Sequence, residues 1–322
     1  PQKEIKCIHV AGTNGKGSVC AYLSTALAGS GYKTGLFTSP YLVRINERIR
    51  INSQEISDDD FARVLTVVKN EYEKSDYCIS CFAVITAAMF VYFREQQVDI
   101  AVIEVGLGGR IDPTNVCEPI VSVITSIAMD HADRLGGTLQ SIAFEKSGII
   151  RRGIPVVIAP NPDEVKSLIK AVCIEKGAPF REISQDRETI RISIEETAFA
   201  YKNVVYKTKL LGKHQIANAC TALEVIQLLR LNGFEVKRAR QHIAETVWPA
   251  RMQVLCREPL ILLDGAHNPQ GAKMLTDFAR CVGKRFALVV SVSADKDLYG
   301  ICSALAEAAS CVYAVSYTHL RA

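Results

Sequence analysis

The sequence predicts an α/β fold built around a mainly parallel sheet. Short runs rich in Val and Ile alternate with longer segments of helical periodicity, and this alternation is typical of βαβ units. The runs carry few polar residues, as expected for strands covered on both faces. Strands are predicted over residues 5–10, 34–37, 100–105, 121–127 and 156–159, and helices over residues 18–28, 58–73, 82–94 and 214–231.

The pattern changes twice along the second half of the chain. Residues 187–211 alternate polar and apolar side chains, which predicts an antiparallel insertion or edge. Beyond Trp248 the strand and helix alternation begins again, which places a domain boundary near residues 246–252. In this second unit strands are predicted over residues 260–263, 286–292 and 311–315, and a helix over residues 271–281. We expect this unit to be incomplete and an element to be missing before the first strand; the polar segment 316–322 does not continue the pattern.

Composition and charge exclude several classes of protein. Of the 322 residues, 48% are hydrophobic and 22% are charged, which is typical of a globular protein. The net charge of +4 is too small to indicate a nucleic-acid partner, and no apolar run approaches the ~18 residues that a membrane span needs. The eleven cysteines are predicted to be reduced thiols of a cytoplasmic protein, and those at positions 20, 173, 220 and 281 to be buried. Cys78 and Cys81 form a CxxC pair, but no second pair completes a zinc site.

A glycine-rich segment joins the first strand to the first helix. In residues 12–18, GTNGKGS, the glycines let backbone N–H groups face a phosphate, the helix start adds partial positive charge, and Lys16 adds a full charge. The segment departs from a strict Walker A motif, because Val10 stands where that motif has Gly and Gly17 separates Lys16 from Ser18. It predicts a nucleotide phosphate loop, against the alternative of a purely structural turn.

Glu104 is a candidate ligand for a metal. It ends a predicted buried strand and precedes the glycine-rich segment 105–109, at the sheet edge where open α/β sheets bind ligands. Magnesium prefers hard oxygen ligands of this kind. The alternative reading is a solvated or capping acid.

Six motifs occur in register along the chain. They are GTNGKGS at 12–18, SPYLVRINERI at 39–49, EVGLGGR at 104–110, DH at 130–131, EKSGI at 145–149 and DGAHNP at 264–269. Together they closely resemble the folylpolyglutamate synthase/dihydrofolate synthase family of the Mur ligase superfamily. The resemblance implies a P-loop parallel-sheet ATPase domain over residues 1–247, followed by a smaller, truncated Rossmann-like C-terminal domain over residues 248–322.

The resemblance also implies an activity. An enzyme of this family uses ATP to add L-glutamate to tetrahydrofolate, and in some members to 7,8-dihydropteroate, through an acyl phosphate. It implies ATP, two Mg²⁺ sites, a monovalent cation and a carbamylated lysine, and a monomeric cytoplasmic enzyme with no nucleic-acid or membrane partner. Three alternatives stay open: a ligase acting on dihydropteroate alone or on a cell-wall precursor, a P-loop module that hydrolyses nucleotide without a ligase substrate, and a chain that folds but is inactive.

Site residues are implied motif by motif. Ser39 and Glu104 resemble ligands of a first magnesium, His131 resembles a ligand of a second, and Lys146 matches the lysine that is carbamylated in relatives. The expected catalytic residues are Lys16, His131, Lys146, Arg251 and His267. Those expected to bind the nucleotide are Gly15, Lys16, Gly17, Ser18, Asn218, Arg251 and Asp264. Asn218 lies near the start of a helix, where it could equally be a structural cap.

The residues implied to bind the acceptor match the family less completely than those implied to bind ATP. Phe82, Ala83, Ile111, Asp112 and Pro113 match segments that contact the pterin group in bifunctional relatives. The chain departs from the family by having Ala83 where an acidic residue is common. It also has Tyr41 where a His is common and Ala250 where a Gly is common. The change at Ala83 bears on the use of dihydropteroate more than on ATP chemistry.

Overall fold

A computed structural model describes residues 1–74 and 76–315, so the segment 316–322 lies outside the described residues. Its main sheet contains β1 (Cys7–Ala11), β2 (Thr34–Phe37), β3 (Ile49–Ile51), β4 (Gln54–Glu55), β5 (Ile100–Glu104), β6 (Pro119–Ile124), β7 (Val156–Ile158) and β8 (Phe180–Glu182). The strand order is β4-β3-β2-β5-β1-β6-β7-β8. All neighbours from β2 to β8 pair in parallel, and β3 and β4 form an antiparallel hairpin at one edge.

The helices are α1 (Lys16–Gly29), α2 (Asp58–Tyr72), α3 (Cys81–Glu95), α4 (Ala132–Leu135), α5 (Leu139–Ser147), α6 (Asp163–Glu175), α7 (Lys213–Leu229), α8 (Ala239–Glu245), α9 (Pro269–Cys281) and α10 (Leu298–Leu305). Short 3₁₀ helices cover residues 45–48, 113–116 and 230–232. Within the described residues, none of these helices has both the length and the apolar character needed to cross a bilayer.

The central strands of the sheet are buried on both faces, as the sequence predicts, whereas the edge strands β4 and β8 are partly exposed. Alternate residues of a strand point to opposite faces, so Ile8 and Val10 of β1 pack with α1 and α7. Ala101 and Ile103 of β5 pack instead with α2 and α3. A third apolar cluster joins β6 and β7 to α5 and α6. The three layers place the carboxyl ends of the parallel strands at one edge, where the glycine-rich loop begins.

Helix α2 shows how local sequence sets an element. Ser57 caps it by accepting a hydrogen bond from the Asp60 N–H at 3.1 Å, and three acidic residues occupy the first turn, where the helix dipole favours negative charge. Phe61, Val64 and Val68, at helical spacing, are its buried residues. The amphipathic helix predicted over residues 58–73 is confirmed.

Residues after 186 form smaller sheets. β9 (Arg187–Ile192), β10 (Thr197–Tyr201) and β11 (Val204–Thr208) make a three-stranded antiparallel sheet, which confirms the predicted insertion. β12 (Gln253–Arg257) pairs antiparallel with β13 (Leu260–Leu263), and β14 (Phe286–Val290) pairs parallel with β15 (Ala309–Ala314). The division into domains at residues 247 and 248 stays a prediction.

Several predictions of detail are wrong. The first helix begins at Lys16 rather than at residue 18, and β6 ends at Ile124 rather than at residue 127. The strands β3, β4, β8 and β12 and the helices α4, α5, α6, α8 and α10 were not predicted; all of them except α6 are shorter than ten residues, so their apolar patterns are short. All eleven cysteines are free thiols, but Cys281, at the end of α9, is exposed rather than buried.

Candidate active site

The glycine-rich loop between β1 and α1 has a backbone that only glycine tolerates at two positions. Gly12 has φ 151° and Gly15 has φ 89°. A Cβ at Gly12 would lie 1.8 Å from Thr125 Oγ1, so the loop packs directly on the end of β6. The Thr125 hydroxyl also donates to the Asn14 carbonyl at 2.8 Å. The loop is therefore fixed with its N–H groups at the start of α1, an arrangement suited to an anion.

Two lysines converge on this loop. Lys16 Nζ donates to the carbonyls of Gly12 and Thr13 at 3.0 and 3.2 Å, and lies 4.0 Å from Glu104 Oε1. Lys146, from α5, donates to the same Gly12 carbonyl at 2.8 Å. Lys146 is buried, and its burial together with the charge of Lys16 lowers its pKa to about 7. Part of the Lys146 population is therefore a neutral amine near neutral pH.

Glu104 places a buried carboxylate beside the loop. Burial raises its pKa, although Lys16 and a hydrogen bond from the Ser39 N–H to Glu104 Oε2 at 3.1 Å both favour the charged form. A carboxylate in this setting is stabilised by a cation. Among the described residues no three His, Cys, Asp or Glu side chains gather into a metal site. The Ser39 and Glu104 pair nevertheless fits Mg²⁺, which proteins usually hold with one or two carboxylates plus substrate phosphates and waters.

Asp130 links the two halves of the chain. Its carboxylate accepts from Lys296 Nζ at 2.8 Å and from Asn268 Nδ2 at 3.2 Å, and it lies 3.3 Å from His267 Nε2. Burial opposes ionisation of Asp130, but the bonds from His267 and Lys296 outweigh it and hold the pKa well below its usual range. Lys296 Nζ also lies 3.3 Å from His131 Nε2. Burial lowers the pKa of His131, which favours the neutral imidazole that can bind a metal.

A second set of bonds ties the glycine-rich loop to α9. Asn14 Nδ2 donates to Asn268 Oδ1 at 3.2 Å and to Gln270 Oε1 at 2.6 Å, and Asn268 Nδ2 donates back to Asn14 Oδ1 at 3.1 Å. Asn268 also caps α9 by accepting from the Gly271 N–H at 2.9 Å. The start of α9 therefore forms one wall of the site.

Helix α7 forms another wall of the site. Asn218 Nδ2 donates to Gln215 Oε1 at 3.0 Å, and Gln215 Nε2 donates to Ser18 Oγ at 3.2 Å. A Cβ at Gly15 would lie 2.4 Å from Asn218 Oδ1. Asn218 thus lies directly against the loop rather than acting as the cap of α7.

The residues expected on the C-terminal side occupy the facing loop. The Asp264 carboxylate accepts the Met252 and Ala266 N–H groups, each at 2.8 Å, and its burial raises its pKa. Arg251 Nη1 donates to the Ala250 carbonyl at 3.1 Å, which leaves the other nitrogens of its guanidinium available to an anion.

Most of these side chains line one cleft of about 170 Å³. Every residue that the sequence analysis assigned to catalysis, nucleotide binding or metal binding lines it: Gly15, Lys16, Gly17, Ser18, Ser39, Glu104, His131, Lys146, Asn218, Arg251, Asp264 and His267. Asn14, Asp130 and Gln215 also line it and were missed as site residues, as was Lys296, which contacts Asp130. The Asp-His motif at residues 130–131 is a sequence signal that could have identified Asp130 as a site residue. No sequence motif marks Lys296.

The residues expected to bind the acceptor lie beside this cleft rather than in it. Phe82 and Asp112 both lie against Gly106, a residue of the cleft wall. A Cβ added at Gly106 would lie 2.5 Å from the Phe82 ring and 3.1 Å from the Asp112 carboxylate. The Asp112 carboxylate accepts the N–H groups of Leu107 at 2.8 Å and Thr114 at 3.0 Å. Ala83 and Pro113 are in the first turns of α3 and of the 3₁₀ helix 113–116, and Ile111 is 80% exposed. Their part in substrate binding stays a prediction.

Fold and site together define an α/β protein with a phosphate loop and a cleft that residues after 250 complete. Residues 10–226 match the model of the Mur ligase middle domain. The chain is 36% identical to dihydrofolate synthase/folylpolyglutamate synthase of Bacillus subtilis, over 100% of this chain and 79% of the relative. It is 34% identical to folylpolyglutamate synthase of Lacticaseibacillus casei, over 98% of this chain and 77% of the relative.

Solved structures agree with these relatives. A folylpolyglutamate synthase complex with AMPPCP and folate superposes with a TM-score of 0.88 at 32% identity, over 98% of this chain and 81% of the other. Folylpolyglutamate synthase of Mycobacterium tuberculosis, complexed with ADP and AMPPCP, gives 0.89 at 31% identity, over 99% and 76%. The chain belongs to the Mur ligase family, in its folylpolyglutamate synthase and dihydrofolate synthase branch.

Proposed function

We propose that this chain is an ATP-dependent ligase that joins L-glutamate to a carboxylate of tetrahydrofolate. One observation carries the proposal: two lysines, a buried carboxylate and an arginine from the second unit converge on a single cleft at the glycine-rich loop. The names of the relatives and the folate-containing complex among the similar structures support the choice of acceptor.

In this proposal the chain's own residues hold ATP in a fixed geometry. The loop N–H groups, with Gly15, Gly17 and Ser18 at the helix start, and Lys16 bind the β- and γ-phosphates. Arg251 approaches the γ-phosphate from the facing loop, where a planar guanidinium suits the charge that develops on the transferring group. Asn218 contacts the adenine end, Asp264 the ribose, and His267 lies beside the phosphates.

The cleft residues also fit divalent cations. Ser39 and Glu104 would hold one Mg²⁺ and His131 a second, and bound Mg²⁺ would shield the crowded phosphate oxygens. Lys146 is proposed to be carbamylated. A neutral amine reacts with carbon dioxide, and the lowered pKa of Lys146 supplies that form near neutral pH. Carbamylation would replace a second positive charge beside Lys16 with an anion able to hold a cation.

The reaction then has two steps. A carboxylate oxygen of the acceptor attacks the γ-phosphorus of ATP, ADP leaves, and an acyl phosphate forms. The neutral amine of L-glutamate attacks the acyl carbon, phosphate leaves with the bonding electrons, and the amide forms as the amine proton is lost. Since Arg251 and His267 belong to the second unit, the two units must be closed on ATP for the first step.

Phe82, Ala83, Ile111, Asp112 and Pro113 are proposed to line the pterin side. Use of 7,8-dihydropteroate as a further acceptor is part of the proposal, and Ala83 is where the chain differs from bifunctional relatives. A monovalent cation, a monomeric state and a cytoplasmic location remain predictions of the sequence.

Turnover tests the proposal directly. ADP release is measured with ATP and Mg²⁺, with and without L-glutamate, and with tetrahydrofolate, dihydropteroate or no acceptor. A ligase releases ADP in quantity only when glutamate and an acceptor are both present, and the variant Lys16→Met abolishes this release while Lys69→Met, a change of an exposed lysine on α2, leaves it intact. ADP release indifferent to both substrates would indicate a nucleotide-hydrolysing module instead.

A further inference from the structure

Two arginines beside the cleft have buried N–H groups without acceptors. Arg48 ends the 3₁₀ helix 45–48 and Arg50 lies in the middle of β3. Ile49 between them is buried in the core, so the alternation of the strand places both arginines on the other face. Arg48 Nε and Nη1 and Arg50 Nε are buried and make no hydrogen bond. They are three of the six such side-chain atoms in residues 1–74 and 76–315.

Both guanidinium groups lie over aromatic rings. The guanidinium carbon of Arg48 is 5.3 Å from the ring centre of Tyr41 and 5.6 Å from that of Phe82, and that of Arg50 is 5.5 Å from the ring of Trp248. Such stacking orients the planar groups and leaves their edges free for acceptors. Arg50 Nη2 pairs with Glu55 Oε1 at 3.3 Å, and Arg48 forms no ion pair within the described part of the chain. Buried donors on a charged group are costly when they have no partner, which points to a ligand.

A second cavity provides the room. It measures about 120 Å³ and lies between β3 and the start of the second unit, with Arg50, Trp248, Arg251 and His267 in its lining. It shares Ser39 and Glu104 with the main cleft, so the two cavities are neighbours across one wall.

Glu47, an acidic residue of this lining whose pKa is lowered by the charge of Arg50, already has hydrogen-bond partners. The Glu47 carboxylate accepts the N–H groups of Leu42, Val43 and Arg44 at 2.9, 2.7 and 2.8 Å. These bonds lower the pKa of Glu47 in spite of the opposing effect of its burial. Glu47 is therefore committed to the backbone of the loop 42–44, and the free donors of the arginines remain available for an acceptor from outside the chain.

We propose that Arg50 binds the carboxylate of the acceptor that does not react; Arg48, which stacks on Tyr41 and Phe82, does not line the second cavity. This inference rests on the proposed function. The terminal glutamyl group of a folate carries two carboxylates; the one that reacts must reach the γ-phosphate in the main cleft, and the other then lies a few ångströms away, within reach of the second cavity. A guanidinium edge matches a carboxylate with two parallel hydrogen bonds. Phosphate has the same match, but the triphosphate is already assigned to the loop and Lys16.

Substrate and variant are changed together in the test. Tetrahydrofolate is compared with its analogue in which the α-carboxylate is a carboxamide, and kcat/KM is measured for wild type, Arg50→Met and Arg44→Met. Arg44 is the matched control, because it lies in the same segment, is exposed, and already pairs with Asp58 at 2.6 Å. We expect wild type and Arg44→Met to prefer the diacid roughly 10- to 100-fold, the range for a charged hydrogen-bonded contact, and Arg50→Met to lose most of that preference.

The ratio of the two substrates within one variant is independent of the fraction of folded enzyme. The same ratio from calorimetric dissociation constants, measured without glutamate, gives a readout that does not depend on turnover. Arg50→Lys keeps the charge but not the planar edge, so an intermediate ratio supports the proposal. A wild type without preference for the diacid, or an Arg50→Met or Arg50→Lys variant with the full wild-type ratio, overturns it. Absence of any glutamate-dependent turnover of tetrahydrofolate by wild type would instead defeat the proposed function.

Discussion

Replacing Asp130 by Asn tests whether one buried carboxylate holds the second unit against the first. All three of its partners from the far part of the chain lie after residue 260: His267, Asn268 and Lys296. Asn keeps the shape of the side chain but removes its charge. The substitution therefore leaves the Lys296 ammonium, whose side chain is only 11% exposed, with one weaker counter-charge, the 63% exposed carboxylate of Asp295 at 3.8 Å.

The expected magnitude follows from this burial. Breaking a fully buried ion pair by removing one partner costs about 3–5 kcal/mol. Asp130 and Lys296 are 7% and 11% exposed at the side chain, and the amide of Asn can still accept one hydrogen bond. We therefore expect the free energy of unfolding to fall by about 2–4 kcal/mol. Activity should fall as well, because Lys296 also lies 3.3 Å from His131.

Urea unfolding followed by the fluorescence of Trp248, the only tryptophan of the chain, measures the effect. Asp133→Asn is the matched control, because Asp133 lies three residues away, is 77% exposed at the side chain and forms a long ion pair with the exposed Arg134, at 3.9 Å. Surface changes of this kind usually alter stability by less than about 0.5 kcal/mol. If the two variants unfold alike and both keep full activity, the proposed link between the units is wrong.

Three further predictions concern the cleft. Gly15→Ala places a Cβ on a residue whose φ is 89°, and this Cβ would lie 2.4 Å from Asn218 Oδ1. The dissociation constant for ATP, measured by calorimetry, should therefore rise at least ~10-fold. Gly137→Ala is the control and should leave this constant unchanged, because no atom lies within 4 Å of a Cβ at Gly137. Glu104→Gln removes a charge that burial disfavours, so the melting temperature should hold or rise while ADP release falls; a lower melting temperature with activity retained would refute this role. In enzyme kept free of carbon dioxide, so that Lys146 is an unmodified amine, the unfolded chain binds more protons at Lys146 than the folded chain does between pH 7 and 10. Stability should therefore rise with pH over this range, and Lys146→Met should flatten that slope in melts at several pH values.

The sequence carries most of the information for the sheet and the loop. Strands such as β1 and β5 are continuous apolar runs, and a strand followed by glycines, a lysine and a helix start predicts a phosphate loop before any coordinates are known. The six family motifs occur in their expected order along the chain, and this order predicts that residues as far apart in sequence as Lys16 and His267 share one cleft. These features are local in sequence, or are ordered along it.

Contacts between distant residues without a local pattern are not predictable in this way. Nothing near Lys296 indicates that its ammonium meets Asp130, 166 positions earlier. The pairing of Arg50 with Trp248 likewise depends on how the edge hairpin lies against the segment that follows α8. Cys281 illustrates the opposite error: it lies in an amphipathic helix, but at its end, where the apolar stripe no longer faces the core.

Oxygen transfer tests the central claim, that the cleft activates a folate carboxylate by phosphorylation. Tetrahydrofolate labelled with ¹⁸O in its γ-carboxylate is turned over with ATP and L-glutamate, and the released phosphate is examined by mass spectrometry. An acyl-phosphate route moves one labelled oxygen into each phosphate for every amide formed. Phosphate that carries no label, while glutamate is still incorporated, would contradict the mechanism proposed for this site.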